Sequence, residues 1–180
     1  MVKVTIKSLV DDFGYYFKKY GITQKQLQDC YEKDQSISDY AWSIFQKILT
    51  EIASAYQNSK ISLQDFYNKT GDTYRQMAYL LKLEKKDSRR IQSLQFENEV
   101  KYMELAYSDL VGVKILSYDC CDGCHPFNNR ILTIEEALEF AKTTETRCQP
   151  RFEKNSRCTL VPEIKEDENS PIKLTVTFGH

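Results

Sequence analysis

The stretch "SYDCCDGCHPFNNRILTIEEAL", residues 117–138, decides how this chain reads. It gathers Cys120, Cys121, Cys124 and His125 into one short run, in a 180-residue chain with only six cysteines and two histidines. Cys121 and Cys124 form a C-x-x-C with Gly123 inside it. That spacing lets a tight knuckle turn two sulfurs towards one point, and glycine supplies the positive φ such a turn can need. A tetrahedral ion takes two more ligands. Cys148 and Cys158 offer them from the far side of a short helix expected over 135–142. Cys120 is the alternate to Cys121, and His125 the alternate to Cys148.

The segment 120–162 has few large apolar residues, so thiolates on a metal would supply folding energy that its core cannot. The expected ion is a structural Zn2+. Four sulfur ligands close the shell and leave no position for water, which disfavours a catalytic metal. A redox C-x-x-C is the weaker reading. Such motifs open a helix, whereas Pro126 and two asparagines follow here.

Working outward, the segment just before the cluster, "VGVKILSY", is β-branched and apolar and predicts a strand. "RCTLVP", from Arg157, predicts another. "IKLTVTF" over 172–178 alternates apolar and polar residues, and "VKVTI" over 2–6 does the same and would suit pairing with it. "PEIKEDENSP", 162–171, reads as an acidic loop. Upstream the character is helical, and no proline occurs before Pro126. Helix starts are signalled at Thr23 with Gln26, Ser62 with Asp65, and Thr133 with Glu136, each a capping box or near relative. Apolar spacing predicts a helix over 38–58 with Ala41, Ile44, Phe45, Ile48, Leu49, Ile52 and Ala55 on one face. It predicts helix over 72–111 as well, either continuous or broken at the charged "KLEKKDSRR".

The fold expected is mainly α: a helical bundle with a small C-terminal zinc-stabilised α+β module. Residues 1–111 form the helical part, with a strand possible at 2–6. Residues 112–180 form the cysteine-rich module with its terminal strand.

"CDGCHPFNNRIL" resembles the C-terminal signature of the phage Mu F-like minor head (head morphogenesis) proteins. Those carry a C-x-x-C pair, then a turn, a basic residue and a hydrophobic pair. Here Asn128 and Asn129 take the turn, Arg130 the basic place, and Ile131 with Leu132 the pair. The family's module closes on a second cysteine run, which "NSRCTLVP" over 155–162 matches. Cys158 falls on the last cysteine, Ser156 stands where the preceding one would be, and the family's histidine is missing. The resemblance covers residues 113–162. It implies a shared zinc module, in which Cys148 would make good the missing ligands, and a role in assembly.

Composition sets outer bounds. Hydrophobic residues make up 41% and the formal net charge is −1, so no global field draws the chain to nucleic acid or an anionic membrane. No apolar stretch is long enough for a membrane helix. With no secretory signal pattern at its start, the chain is expected to be cytoplasmic, where six cysteines point to metal rather than disulfides.

The function expected is a non-enzymatic, zinc-stabilised binding or assembly protein of phage or prophage type, with a protein partner or self-association. The alternative is a DNA-binding regulator. It would use a helix-turn-helix-like hairpin over 23–52 and a basic patch of Lys85, Lys86, Arg89 and Arg90. For each feature the plainer reading is favoured: an αα-hairpin and a solvated helix face. A metal-dependent hydrolase comes third, because no phosphate loop, nucleophile elbow or H-E-x-x-H occurs.

Overall fold

The computed structural model describes residues 6–26, 37–118, 121–149 and 157–165. Among the described residues the longer helices come first: α1 (Ile6–Lys19), α2 (Ile37–Gln57), α3 (Leu63–Leu83) and α4 (Arg89–Ala106). Then follow β1 (Leu110–Tyr118), a 3-10 turn (His125–Phe127), β2 (Ile131–Leu132), α5 (Ile134–Lys142), α6 (Thr144–Arg147) and β3 (Arg157–Ile164). The architecture is mainly α with a small antiparallel sheet near the C-terminus. Of the strand expected at 2–6, only Ile6 is described, and it opens α1. The strand expected at 172–178 lies outside the described residues.

The helix starts form as their caps dictate. Thr23 and Gln26 bond reciprocally at 2.8 and 3.2 Å. Ser62 accepts the Asp65 N–H at 3.0 Å. Thr133 and Glu136 complete a full capping box at the head of α5. Helix ends follow a less legible rule. After α1, α2 and α3 the chain turns left-handed at Gly21 (φ 71), Ser59 (φ 55) and Lys85 (φ 57). In each case the N–H of that residue and the N–H after it fold back onto the last carbonyls, as in Lys86 N–H to Leu81 O at 2.8 Å. This is the Schellman closure, made with glycine only once. It breaks the helix expected over 72–111 into α3 and α4. The second of these stops at Ala106, so β1 starts at Leu110, ahead of Gly112.

Among the described residues two apolar cores result. In the first, Leu9, Phe13 and Phe17 of α1 meet Phe45, Ile48 and Ile52 of α2 and Met77 and Leu80 of α3. Tyr16 belongs to it too. Its hydroxyl pairs with Thr73 at 2.6 Å, and burial pushes its phenol well above the ordinary range. In the second core, Phe96, Val100 and Met103 of α4 meet Val113 and Ile115 of β1, Leu132, Phe140 of α5 and Leu160 of β3. Cys121 and Cys124 are part of this same core. Helix α4 packs along α3, and Arg75 bridges the pair to Glu99 at 2.6 Å. It thus carries the second core on its other face.

The sheet order is β2-β1-β3. Gly112 lets β2 come close, since a Cβ there would sit 2.5 Å from the Leu132 carbonyl oxygen. Strand β3 runs on through Pro162, opposite Val113, to Ile164, where a loop was expected from Pro162. Proline fits because β3 is an edge strand among the described residues, and one side of it has no ladder to supply.

Candidate metal centre

The knuckle forms directly after β1. Cys124 N–H and His125 N–H both donate to the Cys121 carbonyl, at 2.9 and 3.1 Å, which closes the C-x-x-C into a tight turn. The next residues hang on the strand. Asn129 N–H donates to Ile115 O at 2.7 Å and Asn128 Oδ1 accepts Ser117 N–H at 3.0 Å. Asn129 adopts φ 61, a conformation that asparagine tolerates better than most residues.

Cys148 arrives from the opposite direction, as the cap of α6. Its sulfur lies 3.2 Å from that of Cys124. The sulfurs of Cys121, Cys124 and Cys148 all lie within 4.8 Å of one another, a group that could hold a metal ion. Zinc–sulfur bonds of about 2.3 Å place tetrahedral sulfurs about 3.8 Å apart, a spacing inside that 4.8 Å bound and longer than the 3.2 Å between Cys124 and Cys148. Cys121 and Cys124 are buried and Cys148 is half-buried.

Gly123 makes the convergence possible, but not through a positive φ, since among the described glycines only Gly21 has one. The reason is space. A Cβ at Gly123 would collide with the Arg147 carbonyl oxygen and lie 2.8 Å from its carbon. The knuckle and the Cys148 segment touch backbone to backbone only because position 123 has no side chain.

The remaining expected ligands separate. Cys158, on β3 opposite Ser117, is half-buried and stands outside the mutual group of three. It is nevertheless close enough to act on the Cys124 thiol. It also lines a cavity of about 620 Å³ between α3, α4 and β3. His125 is exposed and does not join the sulfurs. Cys120 lies outside the described residues.

Without a cation the cluster resists ionisation. The hydrogen bond from Cys148 favours the Cys124 thiolate. The Cys158 hydrogen bond, burial, and repulsion from Cys158 and Cys121 outweigh it, and the Cys124 thiol is pushed up to about 12. The Cys148 thiol is also raised, by its hydrogen bond to Cys124, by burial and by repulsion from Cys124. Cys124 and Cys148, in contact at 3.2 Å, do not both ionise unless something positive sits beside them. The soft sulfur donor set suits Zn2+ or another thiophilic ion.

Arg89 belongs to this site, although the sequence grouped it with a phosphate-binding patch. Its Nε and Nη2 fork onto Asp87 at 2.7 to 3.0 Å. Its Nη1 donates to the carbonyls of Glu145 and Cys148, both at 2.9 Å. The guanidinium therefore ties the head of α4 to the turn that presents Cys148. Arg147 secures the same turn from the other side, with Nη1 on Phe140 O at 2.8 Å and its guanidinium 3.7 Å from the Phe140 ring centroid. Nothing in the sequence marks Arg89 for this role. The signal is a tertiary contact across more than fifty residues.

The other members of the basic patch are scattered in function. Lys86 pairs with Glu84 at 2.8 Å, Lys85 occupies the left-handed helix stop, and Arg90 is exposed. In the hairpin over 23–52, residues 27–36 lie outside the described residues. Helix α2 turns Ala41, Ile44, Phe45, Ile48 and Ile52 into the first core. Among the described residues no helix is long and apolar enough to cross a membrane. Comparison of the chain with protein-family models, with curated proteins and with solved structures finds no match to any of them.

Proposed function

We propose that the chain is a non-enzymatic binding or assembly protein whose C-terminal part is organised by one structural Zn2+ held on Cys121, Cys124, Cys148 and Cys158. One observation carries the metal reading: three cysteines from two segments, 24 positions apart at Cys124 and Cys148, bring their sulfurs into one group. Cys158 is the nearest further sulfur, acting already on Cys124. It completes the set by turning towards the other two. The ion supplies charge compensation and folding energy, on the order of 10 kcal/mol for structural zinc in small modules. The protein's own contribution is to hold the turn of Cys148 through Arg89 and Arg147, and the knuckle through β1.

The assembly role draws on two supports. The segment 113–162 resembles the cysteine module of phage Mu F-like minor head proteins, and each strand of the sheet carries an exposed apolar residue: Val111, Ile131 and Ile164. The strands are neighbours in the order β2-β1-β3, so these are the side chains that a protein partner at the sheet would cover.

Metal analysis of the purified chain is the decisive experiment. One zinc per chain is expected, reduced in single Cys→Ser variants at positions 121, 124, 148 and 158. Chelation is expected to disorder the second core while the first keeps its helical signal. Metal-free material with the second core fully ordered would refute the metal reading. Sedimentation over a wide concentration range tests the assembly role. It expects self-association that Ile131→Asp weakens, and a monomer at every concentration with no partner bound to that face would refute it.

A further inference from the structure

We infer that the sulfur centre is also a thiol switch: a peroxide oxidises Cys148, Cys124 closes a disulfide onto it, and the metal leaves. The release step rests on the metal reading above. The disulfide step rests on the arrangement of the two cysteines, which the bound cation holds as thiolates.

Three observations select this pair. The Cys124 and Cys148 sulfurs are 3.2 Å apart, about 1.2 Å beyond a disulfide bond, a gap that small side-chain rotations close. Cys148 is half-buried, as is Cys158, whereas Cys121 and Cys124 are 5% and 2% exposed, so of the two sulfurs in contact Cys148 is the one an oxidant from solvent meets first. Cys124 is then the buried resolving thiol, already in contact with the sulfur that has been oxidised. Low exposure at Cys124 and Cys121 also shields them from over-oxidation.

The chemistry balances. The Cys148 thiolate attacks one oxygen of hydrogen peroxide. An S–O bond forms, the O–O bond breaks, and the departing hydroxide takes a proton to become water. The Cys124 thiolate then attacks the sulfenic sulfur. An S–S bond forms, the S–O bond breaks, and the second hydroxide is protonated. Two thiolates, one peroxide and two protons give one disulfide and two waters. The sulfurs lose two electrons to the peroxide, and the metal departs with its charge unchanged. Only Cys121 and Cys158 remain as donors, too few to hold the ion against cellular chelators.

The loss propagates. Arg89 and Arg147 tie the turn of Cys148 to α4 and α5, so a new covalent bond there pulls on the second core directly. The switch would therefore report oxidation as a change in the module that carries the exposed apolar strand residues.

The test uses the full-length zinc-loaded chain titrated with hydrogen peroxide. A weak chromogenic chelator follows released zinc, and non-reducing peptide mapping identifies the bond. One zinc released per disulfide, the disulfide joining Cys124 to Cys148, and full reversal by dithiol plus zinc are expected. Dimedone, which captures a sulfenic acid, is expected to label Cys148 first, and first labelling at any other cysteine would overturn the order of steps. Zinc retained while peroxide is consumed, or a bond joining any other pair, would overturn the inference. So would Cys148 accumulating as sulfinic acid with no disulfide. A wild-type chain that takes up no zinc refutes the metal reading and the switch with it, whereas zinc that binds and stays bound through the titration refutes the switch alone.

Discussion

Substituting Gly123 by alanine isolates the contact that brings the two halves of the cysteine centre together. The added Cβ would collide with the Arg147 carbonyl oxygen and stand 2.8 Å from its carbon and 2.9 Å from Cγ of the same residue. Ordinary contact begins near 3.4 Å, so the knuckle and the Cys148 turn must part by more than half an ångström. Neither side yields easily. The knuckle is pinned by two hydrogen bonds to Cys121 O, and the turn by Arg89 and Arg147. The metal-free chain relieves the clash by letting the segments separate. The metal-bound chain cannot, because ligand distances tolerate only about 0.2 Å. The strain, about 1–3 kcal/mol for an overpacked site, therefore falls on the bound state. It appears as metal affinity weakened by about 5- to 150-fold. Competition against a chromogenic chelator at fixed pH measures it. Gly14→Ala serves as control, because its Cβ meets only Val10 at 3.5 Å and a helical alanine is favoured. Affinity in Gly123→Ala equal to wild type would show that backbone contact at 123 does not set the sulfur geometry.

Further outcomes follow from the same contacts. Arg89→Ala should loosen the turn of Cys148 and weaken metal binding, with Arg89→Lys unable to restore it, since an ammonium cannot fork onto Asp87 and reach two carbonyls; chelator competition reads this, and unchanged affinity would assign Arg89 no part in the site. Phe13→Ala, at a fully buried ring that meets Phe45 edge-on, should cost about 3–5 kcal/mol and lower the melting of the helical core without changing metal content. In the metal-free chain the Cys124 thiol is raised from an ordinary 9.0 to about 12, so its native form holds the proton more tightly than the unfolded chain. Its contribution to stability is full below about pH 9 and is lost as pH climbs towards 12. Denaturant titrations from pH 8 to 11 should show this decline in the metal-free chain and not in the loaded one, where the thiols have already given up their protons.

The elements of the fold are written locally. Thr133 with Glu136 starts α5, Ser62 with Asp65 starts α3, and the three-and-four spacing from Ala41 to Ile52 declares the buried face of α2. These signals work because a cap or an amphipathic face depends on residues a few positions apart. The C-x-x-C is legible for the same reason. Helix ends were harder to read. Gly21 announces its stop, but Ser59 and Lys85 take the same left-handed turn without a residue that favours it.

What the sequence determined, then, is much of the set of parts: the starts and buried faces of helices, the strands β1 and β3, and the C-x-x-C pair of sulfurs. The tertiary structure decided how they meet. It put Phe96 and Val100 in the second core with the cysteines, and set Arg89 onto the carbonyl of Cys148. It made Gly123 necessary as a point of backbone approach. It also left His125 in solvent and Cys158 beside the sulfur group rather than within it. The physical reason is range. Local rules follow from the geometry of one turn or one strand, whereas a clash or hydrogen bond between distant segments exists only after packing has chosen which surfaces touch.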